Sequence, residues 1–593
     1  MAAAAVAPAG PESSRPDGYR WIALSNTTVA VLLATIDGSI MLIAMPDIFR
    51  GIRLNPLVPG NSFYLLWMIL GYLVVSSVLV VSLGRLGDMF GRVRMYNVGF
   101  VVYTVASLLL TIDWMTGRAG ADWLIGMRIV QGIGGAFLMA NSVAILTDAF
   151  PANQRGLALG INNIAGISGN FIGLVLGGIL APIDWRLVFL VSVPFGLFGT
   201  VWAYLKLRDS GVRRREPVDW WGNVSFAVGL TLLMVGITGG IQPYRSHTMG
   251  WTSPRVLAEI AAGALCLCGF AAWQVRSSHP MFRLALFRIR AYTCGVLASF
   301  LSAVARGGLM FMMIIWLQGI WLPLHGFSFA ITPLWAGIYM LPLSAGFVLA
   351  GPASGYFSDR FDARLFATTG LLVSAAAFVL LDVLPVNFAY PAFAGTLLLV
   401  GLSMGAFASP NRASVMNSLP PEHRGAGGGM SATFQNSAQV LSLGVFFSLM
   451  IAGLAATLPA TMSAGLAAHG VPAAVAAGVA HLPPVSVLFA AFLGYNPIQQ
   501  LLGPQVIAGL TKANAAALTG RAFFPSLISA PFRAGLHEAL LFAIAACLLA
   551  AVASWSMGRR YVHGEAAGVP SEGSPEARRG RAADPTGARG VAD

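Results

Sequence analysis

The chain has 593 residues, of which 56% are hydrophobic and 10% are charged, and its formal net charge is +13. Together with a mean hydropathy of +0.74, this composition excludes an ordinary soluble enzyme and predicts a protein that crosses the membrane many times. The positive charge does not indicate nucleic-acid binding, because the sequence contains no basic, aromatic-interleaved soluble module.

Apolar runs long enough to cross a bilayer follow one another along the chain and predict an all-α polytopic fold with about fourteen transmembrane helices. The predicted spans are roughly 22–46, 63–83, 95–112, 123–147, 157–180, 187–206, 221–241, 256–275, 292–317, 332–354, 365–384, 391–411, 426–455 and 536–557. Polar tails at residues 1–20 and 558–593 are predicted to be disordered. The Ala-rich segment 456–535 predicts an extracytoplasmic insertion of interfacial or cap helices, because its apolar stretch 485–493 is too short to span.

Basic residues are distributed unequally between alternate loops. One side of the predicted helices carries about twice as many Lys and Arg residues as the other. Because cytoplasmic loops are enriched in Lys and Arg, we expect that side, and both termini, to be cytoplasmic. Arginine-rich and lysine-poor usage is typical of a high-GC bacterium, which predicts the plasma (cell inner) membrane as the location.

A charged turn, GRLGDMFGRVR, separates the second and third predicted spans. Each of its charges would cost about 3 kcal/mol in hydrocarbon, so the turn must lie at a membrane face. Gly84, Asp88, Gly91 and Arg92 fit the pattern G-x-L-x-D-x-x-G-R-[KR]. The turn therefore resembles the cytoplasmic signature loop between helices 2 and 3 of the major facilitator superfamily, which implies a gating role.

The same pattern recurs after the tenth predicted span. Asp359 and Arg360 follow a glycine, and glycine and aspartate are again four residues apart. Such an internal repeat predicts a major facilitator fold of two six-helix bundles related about an axis along the membrane normal. We place the bundles at 21–207 and 292–557, joined by a linker at 208–291 that contributes two inserted central helices.

Asp37 lies in the middle of the first predicted span, within the run LLATIDGSIMLIAMP. Because an acid at that depth is expensive, a role in handling protons or substrate charge is the expected reading, and a structural hydrogen bond is the alternative. The run resembles the helix 1 pattern L-D-x-T-x-x-N-x-A-L-P of the fourteen-helix drug/proton antiporter branch of the superfamily. That resemblance implies proton coupling.

Arg128 and Gln131 lie together in the fourth predicted span, in LIGMRIVQGIGGA, which resembles the helix 4 motif R-x-x-Q-G-x-G of the same superfamily. A guanidinium in the membrane requires a carboxylate or carbonyl partner. If Asp37 is that partner, protonation of Asp37 would release Arg128, and the pair would be a proton-dependent latch. A static pair, or contacts to backbone carbonyls, is the alternative.

Glycines recur every four residues in the fifth predicted span, at Gly169, Gly173 and Gly177, and Gly178 follows directly. This spacing predicts a smooth groove on one face, where another helix approaches closely. The stretch resembles the exporters' antiporter motif G-x-x-x-G-P-x-x-G-G, with Leu174 in place of the proline.

Arg306 lies in the ninth predicted span, whose sequence contains no acid. It either lines a cavity or lies near a membrane face. Because acids are scarce in the predicted spans, neutral, amphipathic and anionic substrates all remain open.

The resemblance covers about residues 22–455 and the last span, and it implies a proton-coupled secondary transporter that exports small amphipathic or drug-like compounds by alternating access. Its expected partners are a small-molecule substrate, protons and the lipid bilayer. One alternative is a proton-coupled transporter of a specific metabolite, lipid or siderophore. Another is a non-transporting scaffold of an envelope-assembly complex, contacted through 456–535. No enzyme activity, cofactor or metal is predicted, and no G-x-x-x-x-G-K-[ST] motif for an ATP-driven pump occurs.

Overall fold

A computed structural model describes residues 17–558, apart from residues 59, 152–153, 210–218, 246, 421–422 and 495. Every regular secondary-structure element named within these ranges is a helix. Fourteen of the helices are long and apolar enough to cross a membrane. The predicted all-α polytopic fold is therefore confirmed. The predicted terminal tails lie almost entirely outside the described residues.

The spanning helices alternate in direction, and four short helices separate the last two. They are α1 (Gly18–Gly51), α2 (Asn61–Phe90), α3 (Arg92–Thr111), α4 (Gly117–Ala149), α5 (Ala158–Leu180), α6 (Leu187–Lys206), α7 (Trp220–Gly240), α8 (Pro254–Arg276), α9 (Arg290–Leu324), α10 (Thr332–Ser358), α11 (Ala363–Val383), α12 (Tyr390–Asn417), α13 (Ala426–Ala467) and α18 (Phe523–Ser556). The short helices are α14 (Ala473–Ala480), α15 (Pro484–Phe492), α16 (Ile498–Ala508) and α17 (Lys512–Thr519).

The helices pack as two groups with a pair between them. Helices α1 to α6 contact one another, as do α9 to α13 with α18. The pair α7 and α8 lies within the predicted linker, and α7 packs against both α2 and α13. Trp67 Nε1 of α2 donates to Thr238 Oγ1 of α7 at 3.2 Å, and the side chain of Ile237 lies against Gly444 of α13. Helix α7 therefore fills a seam between the two groups.

The two groups meet closely at one end of the molecule. We call the side where α2 ends and α3 begins, at Gly91, the basic face, and the opposite side the far face. Near the far face, a Cβ on Gly337 of α10 would lie 3.0 Å from the carbonyl oxygen of Leu174 in α5. A Cβ on Gly178 would overlap the backbone of Leu334. Since only glycine allows this approach, these positions hold α5 and α10 together at the far face.

The apolar part of the far-face insertion, α15, is buried inside the protein. Every residue of α15 is buried, and α14 and α15 meet at an angle of 86°. The Phe489 ring packs on Phe447 of α13 at 5.5 Å, and the Phe492 ring packs on Phe311 of α9 at 5.2 Å. A short helix without charges can be buried in this way because neighbouring helices, rather than lipid, cover its sides.

Candidate functional site

A fully buried polar cluster joins α1 and α4. The side chains of Asp37 and Arg128 are 0% and 1% exposed, and Arg128 Nη1 forms an ion pair with Asp37 Oδ2. Gln131 Nε2 donates to Asp37 Oδ1 at 3.1 Å, and Gln131 Oε1 accepts from Arg128 Nη1 at 2.7 Å. The cation is thus shared between a carboxylate and an amide.

Neighbouring helices hold this cluster in place. Arg128 Nε donates to the Met68 carbonyl of α2 at 3.3 Å, and its guanidinium carbon lies 4.7 Å from the centre of the Tyr72 ring. Gln131 Nε2 also donates to Ser107 Oγ of α3 at 2.9 Å. A buried ion pair is stable only when the remaining polar atoms are also satisfied, and these contacts meet that condition. Removing either charge would leave its partner buried and uncompensated.

The predicted glycine groove of α5 receives α1 at the level of Asp37. A Cβ on Gly169 would overlap Thr35 Oγ1, and a Cβ on Gly173 would overlap Ser39 Oγ and the Ile36 carbonyl. One turn further along, a Cβ on Gly177 would lie 3.0 Å from the carbonyl oxygen of residue 40. The glycines therefore set the distance between α5 and the helix that bears Asp37.

At the basic face, Arg92 ties together the ends of α2, α3 and α4. Its Nε donates to Asp88 Oδ1 at 2.7 Å, and its Nη1 donates to Asp148 Oδ1, also at 2.7 Å. Gly84 lies close to α4, where its Cβ would be 3.6 Å from that of Ala140. Asp148, near the end of α4, is therefore the second acidic partner of Arg92.

Gly91 has φ +108°, a conformation that favours glycine, and it forms the sharp turn between α2 and α3. A Cβ there would collide with the carboxylate of Asp209. Asp209 Oδ1 accepts from the backbone N–H of Val93 at 2.9 Å, in the first turn of α3. An acid at a helix N-terminus is stabilising. Sequence reasoning missed Asp209, whose signal was an acid shortly after the sixth span.

The repeated pattern at the end of α10 has a different environment. The Arg360 guanidinium lies over the Tyr356 ring at 4.5 Å, and among the described contacts it has no ion pair. Asp359 continues the helix, but its side chain lies outside the described residues. Asp362 instead caps α11 by accepting from Arg364 N at 3.0 Å.

Two arginines occupy the interior of the second helix group. Arg306, in α9, is half-buried and stands directly before the break at Gly307 and Gly308. Its Nε is buried and has no hydrogen-bond partner among the described residues. Arg412, in α12, is near enough to interact electrostatically with Arg306. Sequence reasoning missed Arg412 because the predicted span ended at residue 411, whereas α12 continues to Asn417.

The comparisons with known proteins agree on the family, but the relatives are named for different substrates. The profile of the Major Facilitator Superfamily matches residues 27–443. The chain is 27% identical over 440 residues to the riboflavin transporter RibZ of Clostridioides difficile, covering 73% of this chain and 89% of RibZ. It is 27% identical over 525 residues to the multidrug efflux pump LfrA of Mycolicibacterium smegmatis, covering 86% of this chain and 98% of LfrA.

A third relative and one solved structure extend the comparison. The methyl viologen resistance protein SmvA of Salmonella typhimurium is 27% identical over 451 residues, covering 75% of this chain and 86% of SmvA. A bacterial homolog of the human lysosomal transporter spinster, in an inward-facing and unoccupied conformation, matches with a TM-score of 0.56. That match is 15% identical and covers 92% of this chain and 98% of the homolog, so it supports the fold alone.

Proposed function

The chain belongs to the major facilitator superfamily, and we propose that it is a proton-coupled secondary transporter that exports small amphipathic or drug-like compounds by alternating access. The observation that carries this proposal is the buried cluster of Asp37, Arg128 and Gln131. An ionisable group at that depth in a transmembrane helix is costly unless it has work to do. Proton transfer is the work that a single carboxylate with a cationic partner can perform.

The proposed coupling step is a change of partner within this cluster. When Asp37 accepts a proton, it loses its charge and most of its attraction for Arg128. Arg128 then keeps Gln131 Oε1, the Met68 carbonyl and the Tyr72 ring as partners. Because Asp37 has no accessible surface in this conformation, proton exchange requires α1 to move relative to α4. The Gly173 contact would transmit that motion to α5.

Helix α5 connects the cluster to the interface between the two helix groups. The same helix that packs on α1 beside Asp37 also contacts α10 near the far face, through Leu174 and Gly178. We propose that the far face opens when α5 and α10 separate and α15 leaves its position between α9 and α13. The ends of α2 and α4, which Arg92 bridges through Asp88 and Asp148, would close or release the basic face.

The proton gradient is large enough to drive export. A membrane potential contributes about 2.3 kcal/mol per charge per 100 mV, and one pH unit contributes about 1.4 kcal/mol. One proton therefore sustains a gradient of a few hundredfold for a neutral substrate. We place the protein in the inner membrane of a bacterium, with the basic face and both termini in the cytoplasm.

A specific metabolite is the second candidate substrate. RibZ is named as a riboflavin transporter, whereas LfrA and SmvA are named for drug efflux and resistance. Leu174 stands where the exporters' motif has proline, and its carbonyl forms the contact with Gly337. This departure from the exporter motif favours a narrower substrate range than that of a general drug pump.

Transport in proteoliposomes with an acidic lumen tests the proposal. Uptake of a panel of cationic, neutral and anionic amphiphiles is measured with and without a protonophore. We expect uptake of at least one class to stop when the pH gradient is collapsed, and to be lost in Asp37→Asn. Asp184→Asn is the matched control, because Asp184 lies exposed in a loop, where its Oδ1 is 3.8 Å from Arg186 Nη1. Uptake that ignores the pH gradient, or that survives in Asp37→Asn, would contradict the proposal.

A further inference from the structure

The second helix group contains two positive charges without visible compensation. Neither Arg306 nor Arg412 forms an ion pair or hydrogen bond with any side chain or backbone atom in the described ranges. This contrasts with Arg128, which has a carboxylate, an amide, a carbonyl and an aromatic ring around it. A guanidinium inside a membrane protein requires a partner or water.

The second helix group contains two acids within the bounds of its helices: Asp382 of α11, which pairs with His537 at 2.9 Å, and the exposed Glu538 of α18. Helices α9, α10, α12 and α13 contain no Asp or Glu within their bounds. The buried pair of Asp37 and Arg128 is neutral as a whole, so it does not offset the two arginines. The interior of the second group therefore carries an excess of positive charge, which an anion would neutralise.

The two guanidinium groups converge from neighbouring helices. Asn411 Nδ2 donates to the Gly295 carbonyl at 3.1 Å and to Ser299 Oγ at 2.7 Å, which fixes α12 against α9. Arg306 therefore lies about two turns further toward the far face than Arg412. Side chains lean toward the N-terminus of their own helix. The N-terminus of α9 is at the basic face and that of α12 is at the far face, so the side chains lean toward each other.

Both arginines keep accessible surface: Arg306 is half-buried and Arg412 is exposed. One turn along the same face of α12, Met416 contacts Gly428 at the start of α13. Arg412 thus faces the interior beside α13 and not the lipid. The exposed surface of Arg412 lies in the half of the molecule nearer the basic face, because α12 ends there.

We propose that Arg306 and Arg412 form a binding subsite for the anionic group of an amphipathic substrate, a sulfonate, carboxylate or phosphate. The inference rests on the proposed transport function and assigns the substrate class. Guanidinium groups match such anions in charge and in hydrogen-bond geometry. The apolar part of the substrate would lie along α9 and α13, where Phe300 and Phe434 pack together at 6.4 Å.

Two dyes with the same aromatic skeleton test this assignment. The anionic dye 1-anilinonaphthalene-8-sulfonate carries a sulfonate that neutral N-phenyl-1-naphthylamine lacks. Binding of both is titrated on the full-length protein in nanodiscs, with empty nanodiscs of the same lipid as the blank. Arg306→Gln and Arg412→Gln are each expected to weaken sulfonate binding about tenfold and to leave the neutral dye within about twofold. Arg306→Lys should retain much of the sulfonate affinity, because it keeps the charge.

Arg364→Gln is the matched control, since the Arg364 guanidinium stacks on Trp555 at 3.6 Å at the basic end of α11. No sulfonate binding by the parent protein, unchanged sulfonate binding in both variants, or equal losses for the two dyes would overturn the proposal. Binding needs no proton gradient, so the result is independent of the transport assay. Arginine-dependent binding without proton-driven uptake would reject the coupling and keep the subsite, and the reverse result would reject the subsite alone.

Discussion

Helices α1 and α9 each open one of the two helix groups, and each carries a charged residue in its middle part. In α1, Asp37 is fully buried and bonded to Arg128 and Gln131. In α9, Arg306 is half-buried and has no ion pair within the described part of the chain. The first helices of the two groups thus carry interior charges of opposite sign, and only that of α1 is compensated by protein partners.

This difference suits the two sites to different ligands. A carboxylate surrounded by fixed protein partners suits an ion as small as the proton, because the site does not have to admit a large ligand. A cation that lacks protein partners and borders an accessible space suits a ligand that brings the missing charge. The first group would then handle the proton, and the second would handle the substrate.

Removing the cation of the compensated cluster should have the largest effect. Arg128→Gln leaves Asp37 buried without its ion-pair partner, which costs about 3–5 kcal/mol. We expect a large fall in the thermal unfolding temperature in detergent and complete loss of proton-driven uptake. The double variant Asp37→Asn/Arg128→Gln should recover most of the stability and none of the coupling.

Arg118→Gln is the control for this substitution, because Arg118 lies in the same helix and bonds only Asn61 among the described side chains, at 3.2 Å. Arg118→Gln should have little effect on the unfolding temperature or on proton-driven uptake. Full proton-driven uptake by Arg128→Gln would show that the compensated cluster is structural, and the contrast between α1 and α9 would lose its functional meaning.

An acid placed beside Arg306 should compete with an anionic ligand. Gln439 of α13 packs against Gly307, next to Arg306, and Gln439→Glu adds a negative charge with almost no change in volume. We expect about tenfold weaker binding of the sulfonate dye, unchanged binding of the neutral dye and a higher unfolding temperature. Gln439→Asn provides the neutral control. Sulfonate binding that is unaffected by the added carboxylate would indicate that Arg306 is compensated elsewhere.

The packing of α5 on α1 should matter less than the charges themselves. In Gly173→Ala, the added methyl meets Ser39 Oγ and the Ile36 carbonyl on either side of Asp37. Such overpacking costs about 1–3 kcal/mol, so we expect an unfolding temperature lower by a few degrees and slower uptake. Gly160→Ala is the matched control in the same helix, because its Cβ would meet no atom within 4 Å. Equal effects of the two substitutions would contradict a specific role for this contact.

A compensated carboxylate outside the membrane should give the smallest effect. Asp219 caps α7, and it accepts hydrogen bonds from the backbone N–H groups of Gly222 and Met281 and from the side chains of Trp273 and Gln274. Burial acts to raise the pKa of Asp219, but these bonds outweigh it and hold the pKa below its ordinary value of 3.8.

Because the folded-state pKa is lowered, the stabilisation by Asp219 is present above pH 3.8 and is lost as the pH falls below that value. Asp219→Asn should cost about 1 kcal/mol at neutral pH, comparable to a weakened helix cap. The difference in unfolding temperature between parent and variant should shrink as the pH is lowered below 3.8. A difference that grows on acidification would contradict this assignment.

Most of the fold could be predicted from hydropathy, because each span needs a long apolar run and the chain supplies fourteen. The exceptions are segments whose environment depends on distant neighbours. Helix α15 is too short to be recognised as a membrane element, and its burial depends on α9 and α13. Helix α18 begins at Phe523, well before the predicted start at residue 536, because its first turns pack on the insertion.

Some residues of the candidate site could likewise be predicted from the sequence, and others could not. An acid and an arginine in different spans suggested the pairing of Asp37 with Arg128, since each needs an opposite charge. The sequence pattern also marked the glycines that pack on α1. Asp209, Asp219 and Arg412 could not be identified, because their contacts join segments far apart in the chain or lie just beyond a predicted helix end.

Proton release from the purified protein tests whether Asp37 is the coupling acid. The full-length protein in weakly buffered detergent solution is mixed with the sulfonate dye or with a cationic amphiphile, and the pH is followed with an indicator. The account predicts that a transported substrate changes the number of bound protons, and that Asp37→Asn abolishes this change while Asp184→Asn preserves it. Substrate binding without any change in bound protons, or an identical change in Asp37→Asn, would contradict the assignment of Asp37 as the coupling acid.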